Sequence, residues 1–138
     1  MKNKKFFITI AVLLLLIILS VFRMNPFLRA KSFVFVNGQK IEDALHAGHG
    51  IPGRLGEMTF NTWEGNSGHS MLEFVLITRG DSYYGCYYSP DDVPLAFQNT
   101  DAELVQCGHD SWRWKAEGDN HGKTRKINDQ WYYFEASF

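Results

Sequence analysis

The stretch "MLEFVLITRGDSYYGCYYS", residues 71–89, decides the fold class. Residues 71–78 are apolar on both alternations: Leu72, Phe74 and Leu76 fall on one face, Met71, Val75 and Ile77 on the other. A strand covered on both sides reads this way. Residues 82–88 repeat the alternation, with Tyr83, Gly85 and Tyr87 opposite Tyr84, Cys86 and Tyr88. Between them lies "RGDS", whose Gly80-Asp81 is two-residue turn chemistry, so the segment predicts an antiparallel hairpin. The first three of those four letters match a tripeptide read by extracellular adhesion receptors, but three letters carry little information.

Outward from this hairpin, further strand signals alternate with turns: "EMTFNTW" before it, and "AELVQC", "SWRWK", "KTRKI" and "WYYFEASF" after it. Such spacing suits consecutive antiparallel pairing rather than crossover helices. "FVFV", residues 33–36, has the aromatic and β-branched content of another strand, with Asn37-Gly38 as its turn. Residues 39–47 place Ile41, Ala44, Leu45 and Ala47 near one helical face, with Gly48 as C-cap. "GHGIPGRLG" reads as irregular. In "SPDDVP", Ser89 caps a single helical turn that Pro94 stops. The expectation is a mainly β domain over residues 33–138, a small antiparallel sandwich or partly open barrel with one or two short helices, the class remaining open to α+β.

The N-terminal part differs in kind. Residues 1–5 form a basic head, and residues 6–22, "FFITIAVLLLLIILSVF", carry no charge. At about 1.5 Å per residue this helix covers roughly 25 Å, the short end of a bilayer span. An uncleaved signal anchor is expected, contacting membrane lipid. The alternative is a signal cleaved after Ala30, which places Leu28 where a small residue is wanted. Residues 23–32 read as a stalk, with Pro26 ending any helix continuing from the membrane. From Ser32 onward there are 8 Lys and Arg against 15 Asp and Glu, a net of about −7. An acidic body is repelled by an anionic cytoplasmic leaflet and by nucleic acid, which places it outside the cytoplasm and excludes nucleic-acid binding. Cys86 and Cys107 are the only cysteines. In an exported domain they invite a disulfide, which for a loop of about 22 residues is worth roughly 3 kcal/mol.

Catalytic motifs are weak. "GDNHGKT", residues 118–124, looks like a phosphate loop, but three residues rather than four separate its glycines and no helix follows. It reads as the turn of a hairpin, so no nucleotide is expected. His46 and His49 are three apart, though Gly48 separates them, and no metal or other cofactor is expected. His109, Asp110 and His121 would make a hydrolase or metal site only if folding brought them together. "GNSGH", residues 65–69, lacks the strained elbow of a serine nucleophile. Cys107-Gly108-His109-Asp110 is too local for a triad. Asp91, Asp92 and Asp101 lack a calcium loop's alternating oxygen ligands.

The aromatic residues remain. Trp112, Trp114, Trp131, Tyr83 and Tyr87 either fill a small core or form a sheet face that contacts a protein, peptide or glycan. The combination of "SPDDVPLAFQNTD" with "WYYFEASF" behind a basic-headed span resembles uncharacterised membrane-anchored proteins of Gram-positive bacteria. That resemblance implies a location and no activity. The leading expectation is therefore a non-enzymatic surface binding module. A small hydrolase and a structural subunit of a membrane complex are the alternatives, although the apolar segment lacks the early acidic residue of pilin-like subunits.

Overall fold

The structure, a computed structural model, describes residues 2–51, 60–64 and 68–138. Two helices lead: α1 over Lys2–Met24 and α2 over Pro26–His46. Seven strands follow: β1 Phe60–Glu64, β2 Ser70–Arg79, β3 Ser82–Tyr88, β4 Glu103–Gly108, β5 Ser111–Lys115, β6 His121–Asn128 and β7 Trp131–Ser137. They form one antiparallel sheet in the order β1-β2-β3-β7-β6-β5-β4. The expected antiparallel β class is present, and so are the hairpin at Gly80-Asp81 and the one that closes at Asn120. Its architecture is one open sheet rather than two facing ones. Ser67 of the candidate nucleophile segment, and most of the irregular glycine-rich segment, lie outside the described residues.

The strand order follows from two meanders. β1-β2-β3 pair in sequence, β4-β5-β6-β7 pair in sequence, and β7 then docks beside β3. β7 is thus central, and Trp131, Tyr132, Tyr133 and Phe134 are all buried. Alternation sends Trp131 and Tyr133 to one face, Tyr132 and Phe134 to the other. Both faces therefore need a cover.

On the first face the cover is α2. Ala30, Val34, Gly38, Ile41 and Ala44 are its buried positions, spaced three and four apart, and Ile41 and Val34 pack with Phe74, Cys86 and Trp131. This corrects the reading of residues 33–36 as a strand, of Asn37-Gly38 as its turn and of residues 23–32 as a stalk. Phe33 and Val34 turn inward while Phe35 stays 91% exposed and Val36 60% exposed, a helical and not an alternating pattern. Strand propensity of the four residues is overridden because the sheet needs an apolar helix above it. Asn25 caps that helix, its side chain accepting from the Leu28 N–H (3.2 Å), with Pro26 at the first helical position. Pro26 does separate α1 from α2, as expected, and the two are bent by 93°.

On the second face the cover is the connection from β3 to β4, residues 89–102. It must travel from the middle of the sheet to its edge, four strand steps or about 19 Å. Leu95, Ala96 and Phe97 are buried on the way, against Tyr87, Trp114, Tyr132 and Phe134. The single helical turn expected at Ser89 is absent. Instead Ser89 Oγ accepts from the Val93 N–H (3.2 Å) and its carbonyl from the Asp92 N–H (3.0 Å), with Asp92 in the left-handed region.

Candidate functional site

The five aromatic candidates are mostly interior. Trp131 is wholly buried between Phe74 and Tyr88, and its Nε1–H donates to Glu42 Oε1 (2.6 Å), tying α2 to β7. Tyr87 is wholly buried and stacks on Tyr132 with ring centres 5.2 Å apart. Its hydroxyl accepts from the Leu95 N–H (2.7 Å) and donates to the Leu95 carbonyl (3.1 Å); burial pushes its pKa well above the ordinary tyrosine value. Trp114 is buried over Gly122, where a Cβ would collide with its indole and with the Glu135 carbonyl. Gly85 serves inside the fold in the same way: a side chain there would strike the Phe74 carbonyl and the Phe134 ring. Trp112 and Tyr83 are half-buried. The rings thus fill the two layers of core, and only Trp112 and Tyr83 reach the surface.

The expected disulfide is not formed. Cys86 is buried on β3 and Cys107 exposed on β4, both free. The strand order puts β7, β6 and β5 between them, far beyond the 7 Å that a bridge tolerates. Burial, with the Glu73 carboxylate nearby, raises the Cys86 thiol well above its usual value and keeps it unreactive.

His109, Asp110 and His121 are not brought together either. His109 Nδ1 lies 2.9 Å from Asp110 Oδ1 at the β4–β5 turn. His121 lies at the opposite end of the β5–β6 pair, opposite Lys115, while Ser111 faces Arg125. Four residues of strand, about 13 Å, separate the two ends. Its Nδ1 instead meets the Asp119 carbonyl oxygen (2.6 Å). Among the described residues no group of three or more His, Cys, Asp or Glu could hold a metal ion.

What the fold does assemble is a basic surface. Cross-strand register aligns Tyr84, Glu135, Lys123 and Arg113 across β3, β7, β6 and β5, all on the α2 face. The neighbouring row sets Tyr133 beside Arg125. α2 covers only part of this face. Beyond it lies a cleft of about 690 Å³ whose floor is Arg79, Tyr84, Lys123, Arg125, Tyr133 and Glu135, and whose wall is Val21, Met24, Asn25, Pro26 and Phe27 from the α1–α2 junction. The Arg125 guanidinium carbon sits 4.2 Å from the centre of the Phe27 ring, and that of Arg79 5.7 Å from the Tyr84 ring. The Tyr133 hydroxyl donates to Glu135 Oε2 (3.2 Å), and burial raises its pKa. A second hollow of about 370 Å³ shares Phe27 and Arg125 and adds Lys31, His109 and Asp110.

Sequence reasoning passed over these cations. The signal was present in part: in "SWRWK" Arg113 and Lys115 oppose the tryptophans, and in "KTRK" Lys123 and Arg125 flank an inward Thr124. What it lacked was the pairing that places the two strands side by side.

Fold and site together define a class: an open antiparallel sheet, roofed by one helix, with an apolar helix leading into a cationic cleft. The chain matches no family model, and neither a curated protein nor a solved structure is significantly similar to it.

Proposed function

We propose that this chain is a membrane-anchored binding module, with α1 in the bilayer and the body outside the cytoplasm. One observation carries the reading: every described side chain of α1 from Phe6 to Val21 is exposed, sixteen successive positions without a charge. Water does not tolerate an apolar surface of that extent, and among the described residues nothing buries it. Among the described residues no single helix is long and apolar enough to cross a membrane; α1 and α2 pass only as a bent pair. Because α2 is packed on the sheet, α1 is the element left to enter lipid, and α2 is the rigid link to the body. The net negative charge of the body supports an outside location. The contact surface is the cationic cleft, whose aromatic members are Phe27, Tyr84 and Tyr133, while the half-buried Trp112 and Tyr83 lie on the opposite face of the sheet; no catalytic role is proposed.

Cys107 gives the test. In intact cells a membrane-impermeant maleimide should label the chain, and Cys107→Ser should abolish the labelling, because Cys86 is buried. After alkaline carbonate washing the chain should stay with the membranes. Intact chain in the soluble fraction, or labelling only after cells are opened, overturns the anchor or the sidedness respectively.

A further inference from the structure

We infer that the cleft at the foot of α1 receives the phosphoryl headgroup of an anionic phospholipid. The inference rests on the anchor reading above. If α1 lies in the bilayer, its last residues lie at the headgroup region, and the cleft is walled by those residues: Val21 and Met24 of α1, then Pro26 of α2. The site is thus held at the depth where its ligand is concentrated.

Charge supports the same ligand. Of the 8 Lys and Arg from Ser32 onward, Arg79, Arg113, Lys115, Lys123 and Arg125 all lie on this one face of an otherwise acidic body. Glu103, opposite Lys115, Glu135, opposite Lys123, and Asp110, in the hollow beside Arg125, are carboxylates on the same face. Among the described residues Arg79, Lys123 and Arg125 make no ion pair with a carboxylate. Three cations converge on a cleft whose floor holds one carboxylate, Glu135, so positive charge is in excess there and an anion relieves it. The Arg125 guanidinium over Phe27 and that of Arg79 near Tyr84 make cation–π contacts, which use no N–H donor and so leave the donors to phosphoryl oxygens.

The apolar wall decides between a lipid and a free anion. A hydrated phosphate gains nothing from Val21, Met24 and Pro26, whereas the glycerol and first methylenes of a phospholipid do. A headgroup also resolves a conflict in the body's electrostatics. The net charge repels an anionic surface, while the basic face turns toward it, so the body is oriented rather than merely tethered.

The test uses the full chain in non-ionic detergent, titrated with short-chain phosphatidylglycerol, short-chain phosphatidylcholine or inorganic phosphate. Phosphatidylglycerol should bind saturably and at least tenfold more tightly than phosphatidylcholine, and more weakly as salt rises. Removing one cation, in Lys123→Ala or Arg125→Ala, should weaken it roughly fivefold, and Lys123→Glu with Arg125→Glu should abolish the preference. Lys40→Ala, on the outer side of α2, should change nothing. Circular dichroism of each variant guards against misfolding, and these side chains are exposed or half-buried. Equal binding of the two lipids, or an unchanged preference in the folded double variant, overturns the inference. So does phosphate competing at the lipid's own concentration, which identifies a free anion as the ligand. Flotation on pure phosphatidylcholine vesicles separates the two readings. A chain that floats yet shows no preference for the anionic lipid refutes the headgroup site alone, and one that never floats refutes the anchor.

Discussion

The two faces of the sheet are covered by different means. Over Trp131 and Tyr133 lies a regular helix that satisfies its own backbone and contributes a stripe of Ala30, Val34 and Ile41. Over Tyr87 and Tyr132 lies an irregular connection whose backbone has to be satisfied one group at a time. Tyr87 takes the Leu95 N–H, Thr124 Oγ1 donates to the Leu95 carbonyl (2.8 Å), and Glu73 Oε2 accepts from Gln98 N–H (2.9 Å). Asn99 donates to the His69 carbonyl (2.6 Å). A buried loop without such partners would carry orphaned polar groups at about 1–3 kcal/mol each. The helix face is therefore held by packing and the loop face by hydrogen bonds to side chains. That is why Glu73 and Thr124 are buried polar residues on a sheet otherwise lined with rings, and why Ser89, at the start of the connection, is buried as well.

The contrast breaks most severely at Trp131. Trp131→Ala removes the ring that lies beside Gly38 and the hydrogen bond to Glu42, leaving a cavity beneath α2. Chemical denaturation should report a loss of about 3–5 kcal/mol, with the helical signal of α2 released in the same transition. An unchanged midpoint would mean that α2 does not depend on the sheet.

A smaller and more local effect is expected from Tyr87→Phe. Its ring still stacks on Tyr132, but the Leu95 N–H loses its acceptor in a buried site. The cost should be about 1–3 kcal/mol. Hydrogen exchange should quicken within residues 89–102 while α2 amides keep their protection. Uniform quickening across both faces would show that the two covers form a single cooperative unit.

These two experiments also mark what was legible beforehand. β2 and β3 could be read because burial on both faces leaves its trace in continuous apolar alternation, as in "MLEFVLIT". The hairpin turns could be read because Gly80-Asp81 and the Gly118 region announce themselves locally. α2 was half legible: residues 39–47 gave its C-terminal turns, but Phe33-Val34-Phe35-Val36 has strand composition, and only the sheet beneath shows why a helix wins. Asn25-Pro26 was the overlooked start signal. The cysteine pairing failed for a related reason. A short separation in sequence says nothing of the excursion from β3 to the far edge, where Cys107 lies. The basic cleft is non-local in the same sense. Lys123 and Arg125 are ordinary surface cations until β6 is known to pair with β7 and α1 to end beside them.

The gentlest test of the contrast is acid. Asp92 holds the loop face down: its carboxylate lies 2.6 Å from Lys126 Nζ and accepts from Gln130 N–H (2.8 Å) and the Tyr132 hydroxyl (3.0 Å). Partial burial pushes its pKa up, but these partners together outweigh burial and hold it below the ordinary 3.8. A carboxyl depressed on folding contributes stability above its unfolded pKa, and that contribution is lost as pH falls through the folded value. Below about pH 4 the loop face should therefore loosen relative to Asp92→Asn, which has no such contribution to lose. Lys126, raised chiefly by Asp92, stays charged throughout this window, so the change belongs to the carboxyl. The effect should be modest, because the Asp92 side chain is 37% exposed and solvent screens the pair. Alkali cannot make the distinction. Tyr87 and Tyr132 on the loop face and Tyr133 on the helix face are all raised above their ordinary value of 10.0 by burial. Above pH 10 both faces are destabilised together. Proteolysis of residues 89–102 at low pH, with α2 intact, is the expected signature; simultaneous cleavage in α2 would show that the helix leans on the loop through the sheet.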